Sequence, residues 1–195
     1  GRTANLTLSL DDSANDGAAN EGDNLNSDIE NLKAASGDDT LIGSAGANVF
    51  TGDEGIDTIS YAGRTEPLTV SLEIGANNGA AGENDVIIYG DIENATGGNG
   101  NDSLSGTPGP NELRGGPGTD TVDYSTRYQN LVISLDGVAN DGQQTEGDLV
   151  ATDIENATGG SGDDTLIGSS NSNDLTGGPG TDTADYTGRT ANLTL

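Results

Sequence analysis

Residues Gly97 to Tyr124 read as three successive nine-residue words, GGNGNDSLS, GTPGPNELR and GGPGTDTVD, closed by Tyr124. Each word opens with glycine and carries a carboxylate or amide at its sixth position: Asp102, Asn111 and Asp120. An apolar residue follows at the eighth: Leu104, Leu113 and Val122. Glycines at the first, second and fourth positions let the backbone take φ > 0, bend sharply and expose its carbonyls. A three-residue strand with one inward side chain then completes the word. The prolines agree with this phasing. Pro108, Pro117 and Pro179 take the third position and Pro110 the fifth, all in turns, where a missing N–H breaks no ladder.

The rest of the chain repeats, spaces or decorates this word. Similar segments open at Arg2 (RTANLTLSL), Arg64 (RTEPLTVSL), Arg127 (RYQNLVISL) and Arg189 (RTANLTL), spaced by 62, 63 and 62 residues. This divides the chain into modules 1–63, 64–126 and 127–188, with 189–195 beginning a fourth in one continuous solenoid. The chain closes in the phase in which it opens, GRTANLTL at both ends, which suggests a segment of a longer array. Each module starts with an alternating strand (Asn5–Leu10, Leu68–Leu72, Leu131–Leu135), the period-two pattern of half-buried structure. A polar loop follows: 11–23, 73–85 and 136–148. Next comes a recurring Ile-Glu-Asn that places Glu30, Glu93 and Glu155 nine residues before the first turn acid of each triplet. The triplets close the modules, with sixth positions Asp39, Asn48 and Asp57 in the first and Asp164, Asn173 and Asp182 in the third.

Two words make one coil of eighteen residues, so the expected architecture is all-β: parallel strands stacked about 4.8 Å apart on two faces. Sixth-position groups eighteen residues apart then share an edge. Asp39 sits beside Asp57, Asp102 beside Asp120, and Asp164 beside Asp182. On the opposite edge Glu30 meets Asn48, Glu93 meets Asn111, and Glu155 meets Asn173. Carboxylates held that close repel unless a hard cation lies between them. Ca2+ accepts six to eight oxygens in irregular geometry, whereas Mg2+ demands a near-ideal octahedron. The expectation is multiple calcium ions, and folding that depends on them.

Composition narrows the function classes. Only 30% of residues are hydrophobic, with one Phe and no Trp, against 32 Gly and a net charge of −27. A conventional packed core is not expected, and fixed periodicity is what argues against the disordered class. The absence of Cys and His removes disulfide, thiolate and imidazole chemistry. Every well-placed acid belongs to a turn, so no catalytic residue is expected. The longest apolar run, Val86 to Tyr89, is too short for a membrane span. Acidity argues against nucleic acid and for cations. No signal peptide is visible, and a start at Gly1 without Met reads as an excised or processed piece.

The words GGNGNDSLS, GGPGTDTVD, GGSGDDTLI and GGPGTDTAD closely resemble the calcium-binding nonapeptide of the RTX (repeats-in-toxin) family. The resemblance implies a right-handed parallel β-roll, secreted through a type I system and folded by extracellular calcium. It assigns metal ligation most directly to Asp39, Asp57, Asp102, Asp120, Asp164 and Asp182. The chain departs from the family in the Asn of each middle word and in Ala34-Ala35, which stand where the family has Gly-Gly. The expected role is a calcium-stiffened extracellular array, such as a filament, surface-layer or adhesin-stalk segment, that self-associates or continues into further repeats. The alternative is the type I secretion and folding module of a larger secreted toxin or hydrolase.

Four secondary features carry expectations. The loop acids Asp16, Glu21, Asp23 and Asp28, with Asp141, Glu146, Asp148 and Asp153, form either a further calcium site or a solvated loop. The in-phase Arg2, Arg64, Arg127 and Arg189 pair with an acid of a neighbouring coil. Tyr61, Tyr124 and Tyr186 cover the coils. Asn94-Ala95-Thr96 and Asn156-Ala157-Thr158 match the N-glycosylation pattern by chance.

Overall fold

A computed structural model describes residues 2–73 and 75–189. The expected fourth module, from residue 190 onward, lies outside the described residues. The first copy of the repeat forms β1 (Leu6–Ser9), β2 (Ala14–Ala18), β3 (Asp23–Asn24), β4 (Asn31–Lys33), β5 (Thr40–Ile42), β6 (Val49–Thr51) and β7 (Thr58–Ser60). The second forms β8 (Leu68–Ser71), β9 (Ala76–Ala80), β10 (Asp85–Ile87), β11 (Asn94–Thr96), β12 (Ser103–Ser105), β13 (Glu112–Arg114) and β14 (Thr121–Asp123). The third forms β15 (Leu131–Ser134), β16 (Ala139–Gln143), β17 (Asp148–Val150), β18 (Asn156–Thr158), β19 (Thr165–Ile167), β20 (Leu175–Thr176) and β21 (Thr183–Ala184). The chain is an all-β roll, with no helix among the described residues.

Strands eighteen residues apart pair in parallel, as the two-word coil requires. Leu41 lies over Ile59, Leu32 over Phe50, Leu104 beside Val122 and Ala95 beside Leu113. The eighth-position side chains fill the space between the two faces. Leu41, Phe50, Ile59, Leu104, Leu113 and Val122 are wholly buried, and Val70, Ile133 and Val150 from the spacers join them. Ala184, on the outermost described strand of its face, is exposed.

The acidic stretch after each first strand, expected to be a polar loop, is instead a hairpin. β1, β2 and β3 pair antiparallel in order, as do β8, β9, β10 and β15, β16, β17. These segments lack apolar alternation because side chains, not burial, hold them. Asp16 accepts the N–H groups of Ser9 (2.5 Å) and Leu25 (2.7 Å), clamping the middle strand to both neighbours. Asp141 does the same with Ser134 and Val150.

The hairpins alternate between faces. One sheet runs β21-β19-β15-β16-β17-β13-β11-β7-β5-β1-β2-β3, and the other β20-β18-β14-β12-β8-β9-β10-β6-β4. Four single strands separate successive hairpins, and each crosses to the opposite face. The hairpin of the second copy therefore lands on the face opposite to those of the first and third.

Candidate metal centre

Each sixth-position carboxylate binds the backbone of the coil beneath it. On one edge the N–H of Leu6 donates to Asp39 Oδ1 (2.7 Å), that of Asp39 to Asp57 Oδ1 (2.8 Å), and that of Asp57 to Glu93 Oε2 (2.8 Å). The other edge repeats the pattern: Leu68 to Asp102 (2.9 Å), Asp102 to Asp120 (2.8 Å) and Asp120 to Glu155 (2.9 Å). A third run joins Leu131 to Asp164 (2.9 Å) and Asp164 to Asp182 (3.0 Å). Asp39 and Asp57, Asp102 and Asp120, and Asp164 and Asp182 are thus brought together.

The expected segregation by edge holds within each copy, but the edges exchange from one copy to the next. Glu93 follows Asp57 on one edge, and Glu155 follows Asp120 on the other, so Asp–Asp and Glu–Asn stand in series along the same column. The reason is the spacer. Thr58 pairs with Asn94 and Thr121 with Asn156, 36 and 35 residues apart, because the intervening hairpin lies on the opposite face. Nor do the Glu and Asn side chains meet. Asn111 Nδ2 donates to the backbone carbonyl of Glu93 (2.7 Å), and Asn173 Nδ2 to that of Glu155 (2.8 Å). Asn48 Nδ2 reaches the Ile29 carbonyl (3.4 Å), and Glu30 itself is exposed.

The second oxygen of each sixth-position acid separates the turns. Asp102 Oδ2 folds back onto the N–H of Gly98 (2.5 Å), Asp164 Oδ2 onto Gly160 (2.7 Å), and Asp39 Oδ2 onto Ala35 (3.2 Å). Asp120 has no such donor, because Asp153 accepts both Gly115 N–H and Gly116 N–H at 3.2 Å. Asp120 Oδ2 and its counterpart Asp57 Oδ2 are buried without a hydrogen-bond partner. Leaving a buried acceptor unpaired costs about 1–3 kcal/mol, and more when it is charged. Burial pushes Asp57 and Asp120 up to about 6, and nearby carboxylates, Asp39 and Glu93 for one and Asp102 and Glu155 for the other, push the same way. Both anions are short of positive charge.

These oxygens fit a hard cation. Among the described residues no three His, Cys, Asp or Glu side chains converge on one point, so most of the shell would come from backbone carbonyls. The turns are built to present them. A Cβ at Gly118 would collide with the carbonyl of Gly100, and one at Gly55 with that of Gly37, so only glycine lets successive turns stack at this spacing.

Asp85 was not singled out from the sequence, and Asp148 only as one of the loop acids. Both are wholly buried. They accept the N–H groups of Asn48 (2.8 Å) and Asn111 (2.9 Å), and the hydroxyls of Tyr61 and Tyr124 (both 2.7 Å). The tyrosines therefore cover the coils and also complete a carboxylate. A signal for these acids exists. Gln143–Ala151 scans as another nine-residue word, with Asp148 sixth and Val150 eighth, but Glu146 replaces the fourth-position glycine and hides it. The Ile-Glu-Asn segment is a second unrecognised clamp. Asn94 Oδ1 accepts Glu112 N–H and Asn156 Oδ1 accepts Asp174 N–H, both at 3.0 Å.

Comparison with known proteins agrees with this geometry. A family model described as the RTX calcium-binding nonapeptide repeat (4 copies) matches residues 26–59 and 96–125. The chain carries RTX calcium-binding repeats. A second model, the peptidase M10 serralysin C terminal, matches residues 113–194. No curated protein matches the chain. No helix among the described residues is long and apolar enough to cross a membrane.

Proposed function

We propose that this RTX chain is the calcium-folded module of a larger secreted protein, ordered only after it reaches the calcium-rich exterior. The two donorless carboxylate oxygens, Asp57 Oδ2 and Asp120 Oδ2, carry the calcium dependence. Bound calcium would supply the positive charge and the oxygen-binding capacity that these turns lack. Asp39 and Asp57, Asp102 and Asp120, and Asp164 and Asp182 would hold the ions from the side-chain direction, with Glu93 and Glu155 next in column and glycine carbonyls completing the shells. The Asn residues are weaker candidates, since each is neutral and the Oδ1 atoms of Asn48 and Asn111 already accept the N–H groups of Ser44 and Thr107.

The sequence favoured a filament or stalk. The serralysin C-terminal match over 113–194 favours the alternative, a secretion and folding module. Far-UV circular dichroism in EDTA and then in millimolar calcium tests the first step. The expected result is a coil spectrum that converts to β on adding calcium, and a β spectrum retained in EDTA would overturn it. Electron microscopy of the calcium-loaded protein separates the two roles. Discrete particles of one chain's length fit the folding module, and long ordered fibres would restore the filament.

A further inference from the structure

One turn in each triplet already contains a cation. The Arg127 guanidinium lies over the middle turn, donating from Nη2 to the carbonyls of Gly106 (3.0 Å) and Thr107 (2.6 Å). Its Nη1 stands 2.9 Å from Glu146 Oε1, an ionic contact rather than an aligned hydrogen bond, since that oxygen has no hydrogen-bond partner. Arg64 repeats the arrangement, with Nη1 toward Ser44 O (3.4 Å) and both terminal nitrogens on Glu83 (3.0 and 2.8 Å). Arg189 donates to Ser169 O in the third copy. The carbonyl reached lies twenty residues before the arginine each time, on the turn whose sixth position is Asn.

The acid on the far side belongs to the hairpin word, and it occupies the fourth position, where calcium words have glycine. Arginine and glutamate thus replace an ion and a carbonyl. The sixth-position acid of that word is satisfied as well, by the tyrosine three residues before the arginine. Arg127 also lies 5.8 Å from the centre of the Tyr124 ring, within reach of a cation–π attraction. Burial follows the turn. Arg127 and Glu146 side chains are 7% and 0% exposed, whereas Arg2, which pairs with Glu21 but has no described turn beneath it, is 54% exposed.

Resting on the calcium reading above, we propose that each Tyr-x-x-Arg segment is an intramolecular cation that fills the middle turn, so calcium is confined to the Asp–Asp–Glu stretches of each column. A guanidinium presents several fixed donors and never loses its charge, so it holds these carbonyls at any calcium concentration. A divalent ion at the same carbonyls would face that charge at contact distance, with a neutral Asn in place of Asp.

Two measurements test this. Anomalous diffraction from crystals soaked in Tb3+ should show peaks beside Asp57 and Asp120 and none within coordination distance of Gly106 O or Thr107 O. A peak at the middle turn overturns the assignment. No peaks anywhere overturn the calcium reading and this inference with it. Equilibrium dialysis with radioactive calcium should give N111D the wild-type ion count and the double variant N111D/R127Q one ion more. A gain in N111D alone, with Arg127 intact, overturns the proposal. If the double variant does not fold in calcium by circular dichroism, the diffraction result on the unaltered chain decides.

Discussion

Asp120 and Asp148 occupy the same position of their words, and water reaches neither. Each accepts a backbone N–H from the coil beneath, from Asp102 at 2.8 Å and Asn111 at 2.9 Å. They differ in one oxygen. Tyr124 gives Asp148 Oδ2 its donor, while Asp153 takes the donors that Asp120 Oδ2 could have used. A roll of this kind can therefore settle its buried acids in two ways, from within the chain or from solution. The spacer uses the first, and the paired-aspartate turns are left to the second.

The largest test of this contrast is the pair Asp120→Asn and Asp148→Asn. Removing one partner from a buried charged pair costs about 3–5 kcal/mol. D120N should lose about that much at saturating calcium and need more than tenfold more calcium to fold. D148N keeps an acceptor for Asn111, and its calcium midpoint should stay near wild type. Calcium titrations followed by circular dichroism give both midpoints. Equal shifts in the two variants would erase the distinction between the turns.

A smaller effect sharpens it from the other side. Tyr124→Phe removes the hydroxyl and leaves Asp148 Oδ2 as bare as Asp120 Oδ2. The expected loss is about 1–3 kcal/mol, read from the urea midpoint at saturating calcium, with the number of bound ions unchanged. An increase in bound calcium would mean that the emptied turn recruits an ion, and that the hydroxyl alone kept the two turns apart.

The part of this design visible in the sequence is the part written in nines. The eighth-position residues Leu41, Phe50, Leu104 and Val122 identify the inward face by counting, and eighteen-residue pairing follows from two words per coil. The hairpins were illegible because Ala-Asn-Asp-Gly carries no strand pattern. The register of those strands is set by Asp16 and Asp141 gripping both neighbours, a tertiary arrangement. The order of acids along an edge was illegible for a related reason. Whether Asp57 meets Asp102 or Glu93 depends on how many strands the spacer spends on one face, and composition does not encode that number. The arginines were visible as in-phase cations, but their recurring partner is the hairpin acid of their own copy, Glu83 or Glu146, and the expected neighbouring-coil acid is met at longer range where Arg127 faces Glu73 at 3.6 Å.

The finest comparison lies within the hairpins, where the second copy has Asn78 in place of the acid. Asn78 Oδ1 accepts Ser71 N–H (2.5 Å), but its amide nitrogen cannot accept the N–H that corresponds to Val150, so this clamp grips one neighbour. Asp141 grips two, and burial pushes it up to about 7. With its folded pKa above the unfolded value, the folded chain holds a proton that the unfolded chain has released between pH 3.8 and about 7. Stability from this group is therefore greatest at the acid end of that window and declines as pH rises through it. Asp148, also raised to about 7 by burial, pulls the same way. Asp141→Asn should cost about 0.5–1.5 kcal/mol near the bottom of the window through the lost Val150 bond. It should cost less at pH 8, where it also removes a buried charge. Thermal midpoints of both proteins at about pH 5 and pH 8, in saturating calcium, give the difference. Because proton competition at Asp57 and Asp120 affects both proteins alike, it cancels in that comparison. A gap that widens with pH would mean that Asp141 is held ionised in the folded chain and is stabilising there as a charge.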